Sequence, residues 1–157
     1  MQTSDYLDQK KSEIEQALQM HFDAHFKETS VLNRAIKYSV LNGGKRIRPI
    51  LCLATAESCK GTKQDALPAA LAVELFHCST LIHDDLPCMD DDDLRRGRPT
   101  CHIQFGEANA VLAGDALIIE AFKLLAIENC AQQAAELAQA AGAGGVIAGQ
   151  VADLAAE

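Results

Sequence analysis

The sequence predicts an all-α domain, and two observations carry that reading. Aromatic residues make up only 4% of a 157-residue chain that is 48% hydrophobic, and Trp is absent. Its core is therefore built from Leu, Ala, Ile and Val, a set that suits helix packing better than sheet packing. Apolar residues also recur at helical spacing: Ile14, Leu18, Phe22 and Phe26 each follow the last by four positions and share one helix face. The length suffices for one domain with a sizeable core.

The elements follow in order. After that first helix, a second is expected from Val31 to Leu41, closed by Asn42-Gly43-Gly44, where glycine supplies left-handed backbone. A third begins near Pro49, since proline suits a first helical turn, and stops before Lys60-Gly61. The fourth runs from Gln64 to Asp85, with Pro68 near its start. From Leu86 to Gly106 the breakers Pro87, Gly97, Pro99 and Gly106 stand among many charges, which predicts a functional loop with one short helical turn. Helix resumes from Glu107 to Asn129 and again across the Ala-rich tail, with a break or tight packing point in the Gly142 to Gly149 region. No internal repeat is present.

Lys plus Arg number 14 against 22 Asp plus Glu, a net charge of −8 that disfavours nucleic acid and anionic membranes as partners. Any anionic substrate has to be held by local clusters. The chain opens without an apolar run of signal-peptide length, and no stretch approaches the roughly 20 apolar residues of a membrane span. The expectation is a cytoplasmic protein with no membrane span. Cys52, Cys59, Cys78, Cys88, Cys101 and Cys130 form no CxxC pair, so they are expected to be reduced thiols.

The dominant feature is an acidic cluster: Asp84, Asp85, Asp90, Asp91, Asp92 and Asp93 place six carboxylates within ten residues. Most charge runs are solvated surface loops. This one is laced with Leu86, Pro87 and Met89, and its first two members end a strongly apolar helix. Carboxylates crowded near apolar surface need countercharge, and hard oxygen ligands suit Mg²⁺, which takes one or two protein carboxylates plus water and phosphate oxygens. On an unbroken helix Asp84 and Asp90 would point about 240° apart, at roughly 100° per residue. Pro87 disfavours helix at Leu86, which lets the chain bulge and Asp90 return to the metal-facing side. The spacing favours a metal site over the solvated loop.

Two cationic clusters complete the layout. Gly43-Gly44-Lys45-Arg46-Ile47-Arg48-Pro49 sets three cations at a helix start, where free backbone N–H groups suit phosphate. Leu94-Arg95-Arg96-Gly97-Arg98-Pro99 follows the aspartates directly. The pair of clusters fits two separate diphosphates. His77 lies seven residues before Asp84 and so on its helix face, as either a phosphate donor or a satisfied core histidine.

On these residues the chain resembles the isoprenyl diphosphate synthase family, farnesyl and geranylgeranyl diphosphate synthases in particular. The motifs are Gly43 to Pro49, His77, DDLPCMDDDDLRRGRPT from Asp84 to Thr100, and FGEANAVLAGDAL from Phe105 to Leu117. The resemblance spans nearly the whole chain and is weakest in the first and last thirty residues. It implies an orthogonal helical bundle of the isoprenoid synthase type, with residues 1–157 forming a single domain, incomplete at its C-terminus. The family's second Asp-rich motif lies in a C-terminal half that has no counterpart here, so the chain is expected to be an N-terminal half.

The resemblance also implies roles. Asp84 and Asp90 would be Mg²⁺ ligands at the allylic diphosphate, with Asp85 a supporting catalytic residue and Arg95 gripping that diphosphate. Lys45, Arg48, His77 and Arg96 would bind isopentenyl diphosphate. Gln150 and Asp153 are similar to the family's GGQxxD segment, with Ala148 in place of its first glycine. The implied function is a Mg²⁺-dependent trans-prenyltransferase joining isopentenyl diphosphate to dimethylallyl, geranyl or farnesyl diphosphate, with products of C15 to C20. Small Ser79 and Thr80, about one turn before Asp84, predict a deep tail pocket and C20 or longer, since farnesyl-specific relatives often carry an aromatic at the Ser79 position. A homodimer is implied through the helix from Glu107 to Asn129, where Ala108, Ala110, Ala113 and Gly114 permit close approach. The alternatives are a non-catalytic, small-subunit-like homologue and, less favoured, a terpene cyclase, in which the Gly43 to Pro49 site would have no purpose.

Overall fold

A computed structural model describes residues 3–156. The described residues form α1 (Thr3–His25), α2 (Val31–Val40), α3 (Ile47–Ser58), α4 (Lys63–Asp84), β1 (Leu94–Arg95), β2 (Arg98–Pro99), α5 (Cys101–Phe105), α6 (Glu107–Ile127), α7 (Ala131–Ala141) and α8 (Val146–Leu154). The all-α expectation holds, apart from one small hairpin.

Ile14, Leu18 and Phe22 of α1 are fully buried. Phe26 lies just past the helix end but still packs against Phe22, with ring centroids 4.8 Å apart and the rings tilted by 48°. Ser30 caps α2 by accepting from the Asn33 N–H. Thr62 and Asp65 form a reciprocal capping box at the start of α4, which fixes where that helix begins.

Helix α4 is the central element, packed between α3 and α6. By length and composition it is apolar enough to cross a membrane. That corrects the expectation that no such stretch exists. Its apolar residues serve the core here: Ala70, Ala72, Leu75, Cys78 and Ile82 are all buried among neighbouring helices.

Helix α6 lies close against α4. A Cβ on Gly114 would come 2.1 Å from His83 Nε2, and that nitrogen is 3.1 Å from the Val111 carbonyl. Ala110 and Ala113 are likewise fully buried. Of the small residues read as a subunit interface, Gly114 therefore seats α6 on α4 and Ala110 and Ala113 are buried within this chain, whereas Ala108 is exposed. The outward face carries Leu112 and Ile119 instead, 54% and 67% exposed.

The segment after α4 is more ordered than the expected loop. It contains the β1–β2 hairpin, with Leu94 opposite Pro99 and Arg95 opposite Arg98, and then α5. Arg96 (φ 55°) and Gly97 (φ 75°) form its two-residue turn. Two positive φ values in succession suit the right-handed twist of a tight hairpin. The break in the Ala-rich tail falls at Gly142 to Gly145, and Gly149 lies inside α8. All six cysteines are free thiols, Cys78 and Cys101 buried, Cys59 and Cys88 exposed.

Candidate active site

The last turn of α4 delivers Asp84 and Asp85, and the backbone then curls tightly around Leu86. The Met89 N–H donates to the Leu86 carbonyl at 2.8 Å, and the Asp90 N–H donates to the Asp84 carbonyl at 2.9 Å. Asp90 thus returns over Asp84, the bulge expected of Pro87. Burial pushes the Asp84 carboxyl above the ordinary aspartate range, and the nearby Asp90 charge pushes it further. A half-buried carboxylate crowded by a second one is a setting for a cation.

Among the described residues no group of three His, Cys, Asp or Glu side chains is arranged to hold a metal by itself. Two carboxylates fit Mg²⁺, which fills its remaining positions with water and phosphate oxygens. Asp84 and Asp90 are the residues that would hold it.

Asp85 lines a different cavity from Asp84. It is 3% exposed and binds Arg95 through two contacts to Oδ1, from Nε at 2.7 Å and Nη2 at 2.6 Å, and one to Oδ2, from Nε at 3.0 Å. Its role is to hold the first arginine of the hairpin, which keeps its Nη1 donors free of that pair.

Arg96, at the hairpin tip, crosses to the Gly43-Gly44 turn and donates to the Gly43 carbonyl. Gly44 takes φ 133°, backbone that favours glycine, and the guanidinium of Arg96 lies over it where a Cβ would be, 2.6 Å from Nη1. The hairpin is pinned to α2 from its other strand: Arg98 stacks over the Tyr38 ring at 4.4 Å and donates to Asn42 at 3.0 Å. Tyr38 in turn donates to the Pro99 carbonyl at 2.8 Å.

Lys45, Arg48, His77 and Arg96 line one cavity of about 580 Å³. All four residues expected at the second diphosphate are brought together. Burial and the adjoining Arg48 charge push the His77 imidazole below its ordinary pKa. Arg48 Nη1 lies 3.2 Å from His77 Nε2. Since guanidinium only donates, Nε2 accepts and the ring proton sits on Nδ1. His77 therefore orients Arg48, and Nδ1 is its remaining donor.

Arg46, the middle cation of that motif, departs from the surface-anion reading. Its side chain is 1% exposed and faces Glu74, itself 2% exposed, at 2.6 Å. Nothing in the local sequence marks this, because the partner is on another helix.

A second cavity, about 350 Å³, opens beside Asp84 and is lined by Phe76, Ser79, Thr80, Met89, Ile118 and Ile147, among others. Its walls are largely apolar. The Ser79 hydroxyl donates to the Phe76 carbonyl at 2.6 Å and the Thr80 hydroxyl to the His77 carbonyl at 2.9 Å, so both act as small, satisfied wall residues. Gln150 lines this cavity, whereas Asp153 is exposed and outside its lining. Phe76 was overlooked in the sequence, although its spacing of four to Thr80 and eight to Asp84 places all three on one face.

A polyprenyl synthetase family model matches residues 29–157. Geranylgeranyl pyrophosphate synthase 11, chloroplastic, of Arabidopsis thaliana is 48% identical over 157 residues, covering 95% of this chain and 43% of that protein. The heterodimeric geranylgeranyl pyrophosphate synthase large subunit 1, chloroplastic, of the same plant is 50% identical over 140 residues, covering 83% and 38%. The chain thus spans less than half the length of these curated relatives. A geranyltransferase structure from Legionella pneumophila matches with a TM-score of 0.90 and 36% identity, over 96% of this chain and 56% of that one. The expected isoprenoid-synthase bundle is the arrangement observed.

The plant relatives are named as chloroplastic, which points to a plastid and overturns the cytoplasmic expectation. That expectation rested on the lack of an apolar opening run. Plastid leaders are amphipathic and Ser-rich, so such a run does not discriminate between the two compartments.

Proposed function

This chain belongs to the polyprenyl synthetase family, and on that premise we propose that it provides both diphosphate sites of a magnesium-dependent trans-prenyltransferase. The reaction joins isopentenyl diphosphate to an allylic diphosphate. The observation that carries this reading is the end of α4. The Asp84 and Asp90 pair lies there near Arg95, a separate cation-lined cavity lies on one side, and an apolar cavity opens beside Asp84.

Mg²⁺ held by Asp84 and Asp90 would neutralise charge on the allylic diphosphate as it departs. Arg95, oriented by Asp85, adds charge-assisted hydrogen bonds to the same group. Lys45, Arg48 and Arg96 hold isopentenyl diphosphate so that its double bond faces the allylic carbon. The allylic C–O bond breaks, the isopentenyl double bond supplies the electron pair of the new C–C bond, and the proton then lost passes to the departing diphosphate. The apolar cavity holds the growing tail and excludes water. With Ser79 small at its wall, the product is C20, the upper end of the C15 to C20 range.

A relative named as a heterodimer subunit supports assembly in pairs, and we place a homodimer contact on the outward face of α6, at Leu112 and Ile119. Assay of the whole protein with isopentenyl diphosphate and farnesyl diphosphate tests the activity. A C20 diphosphate should form with Mg²⁺ and not with chelator; no condensation with any allylic diphosphate refutes the proposal.

A further inference from the structure

We infer that Arg46 is a positioning residue for the isopentenyl diphosphate side of the site, acting through Glu74. The inference rests on the reading of the Lys45, Arg48, His77 and Arg96 cavity given above.

Arg46 is the N-cap residue of α3 and adopts left-handed backbone (φ 53°), a conformation that non-glycine residues rarely take. Its guanidinium reaches three elements. Nη1 donates to Glu74 Oε1 of α4 at 2.6 Å, Nη2 to the Val40 carbonyl of α2 at 2.7 Å, and Nε to Glu15 Oε1 of α1 at 3.3 Å. The planar fork of an arginine can serve all three acceptors at once; a lysine ammonium is a point charge without that geometry.

All three cations of the motif border the cavity, but they do so differently: Lys45 and Arg48 are exposed there, while Arg46 is buried in its wall and engaged by Glu74. Glu74 stands one turn before His77 on α4 and lines the same cavity. The buried pair therefore fixes the turn bearing two phosphate-facing cations against the helix bearing His77. Stability alone does not require a charged pair here, because well-packed apolar residues often replace buried ion pairs without loss. What an apolar pair would not retain is the three-way registry of α2, α3 and α4 at the cavity mouth.

The test uses the whole protein in three forms: wild type, Arg46→Lys, and the double variant Arg46→Met with Glu74→Leu, which leaves neither charge orphaned. Calorimetry reads affinity for isopentenyl diphosphate and, with Mg²⁺, for a non-reacting thio analogue of geranyl diphosphate; thermal unfolding reports the fold. In folded variants isopentenyl diphosphate affinity should fall roughly tenfold or more, because small misplacements of binding groups are costly. Affinity for the allylic analogue should stay near wild type. Equal losses for both ligands would mean a general structural role and would overturn the inference, as would wild-type affinity in either folded variant. Lys45→Ala separates the two readings. If it leaves isopentenyl diphosphate binding unchanged, the cavity assignment fails and the inference with it. If it weakens binding while the Arg46 variants do not, only the Arg46 role fails.

Discussion

Arg95 grips Asp85 through both Nε and Nη2, at 2.7 and 2.6 Å from Oδ1, although the two residues lie on opposite sides of the acidic bend. Asp85 is nearly fully buried, and Arg95 belongs to the hairpin. The contact ties the hairpin to the end of α4 and divides the labour of adjacent aspartates. Asp84 lines the apolar cavity, and Asp85 is spent on holding Arg95.

Asp85→Asn should therefore weaken both fold and site. Loss of a charge-assisted pair with one largely buried partner should cost about 2 kcal/mol. Urea unfolding measures this. Unchanged stability, together with unchanged allylic diphosphate affinity, would contradict the assigned role.

The packing of α6 on α4 makes a separate prediction. Gly114→Ala would drive a methyl into the His83 ring and should destabilise by about 2 kcal/mol, as overpacking does. Gly149→Ala, in α8 with nothing within 4 Å of the added methyl, should be neutral or stabilising by about 0.5 kcal/mol. Thermal unfolding of the two variants should give shifts of opposite sign or very different size.

Two half-buried histidines set an acid limit. Burial lowers the pKa of His21, which faces Glu120 at 3.1 Å, and of His77 beside Arg48. Below the ordinary value of 6.5 the unfolded chain binds protons that the folded chain refuses. Stability from these groups is thus complete above that pH and is lost as pH falls toward their depressed values. Denaturant midpoints measured across this range should fall on acidification, and the His21→Gln variant should show a shallower slope.

The tail cavity predicts product control. Ser79→Phe places a ring at a wall position that is 1% exposed and should shorten the dominant product from C20 to C15. Chromatography of reaction products reads this directly; an unchanged C20 product would show that the tail takes another path.

Helix limits and motifs were readable in the sequence because restricted residues signalled them. Gly43 and Gly44 mark a turn with positive φ at both positions, and Pro87 marks the bend that returns Asp90 to Asp84. The hairpin was not readable, because its turn puts an arginine in left-handed backbone, and Arg96 carries no turn signature. The directions of charged side chains were equally hidden. Arg46 and Lys45 are adjacent, yet one is buried by Glu74, 28 residues away, and the other is exposed at the cavity. Small residues on α6 were legible as a close-packing face, but the partner proved to be His83 of α4.

The most direct test is calorimetric binding of an unreactive allylic diphosphate analogue to wild-type and Asp84→Asn protein, each with and without Mg²⁺. Wild type should bind tightly only with the metal, and Asp84→Asn should lose that enhancement by roughly tenfold to a hundredfold. Equal magnesium-dependent binding by the two proteins would contradict the assignment of the α4 terminus as the metal and diphosphate site.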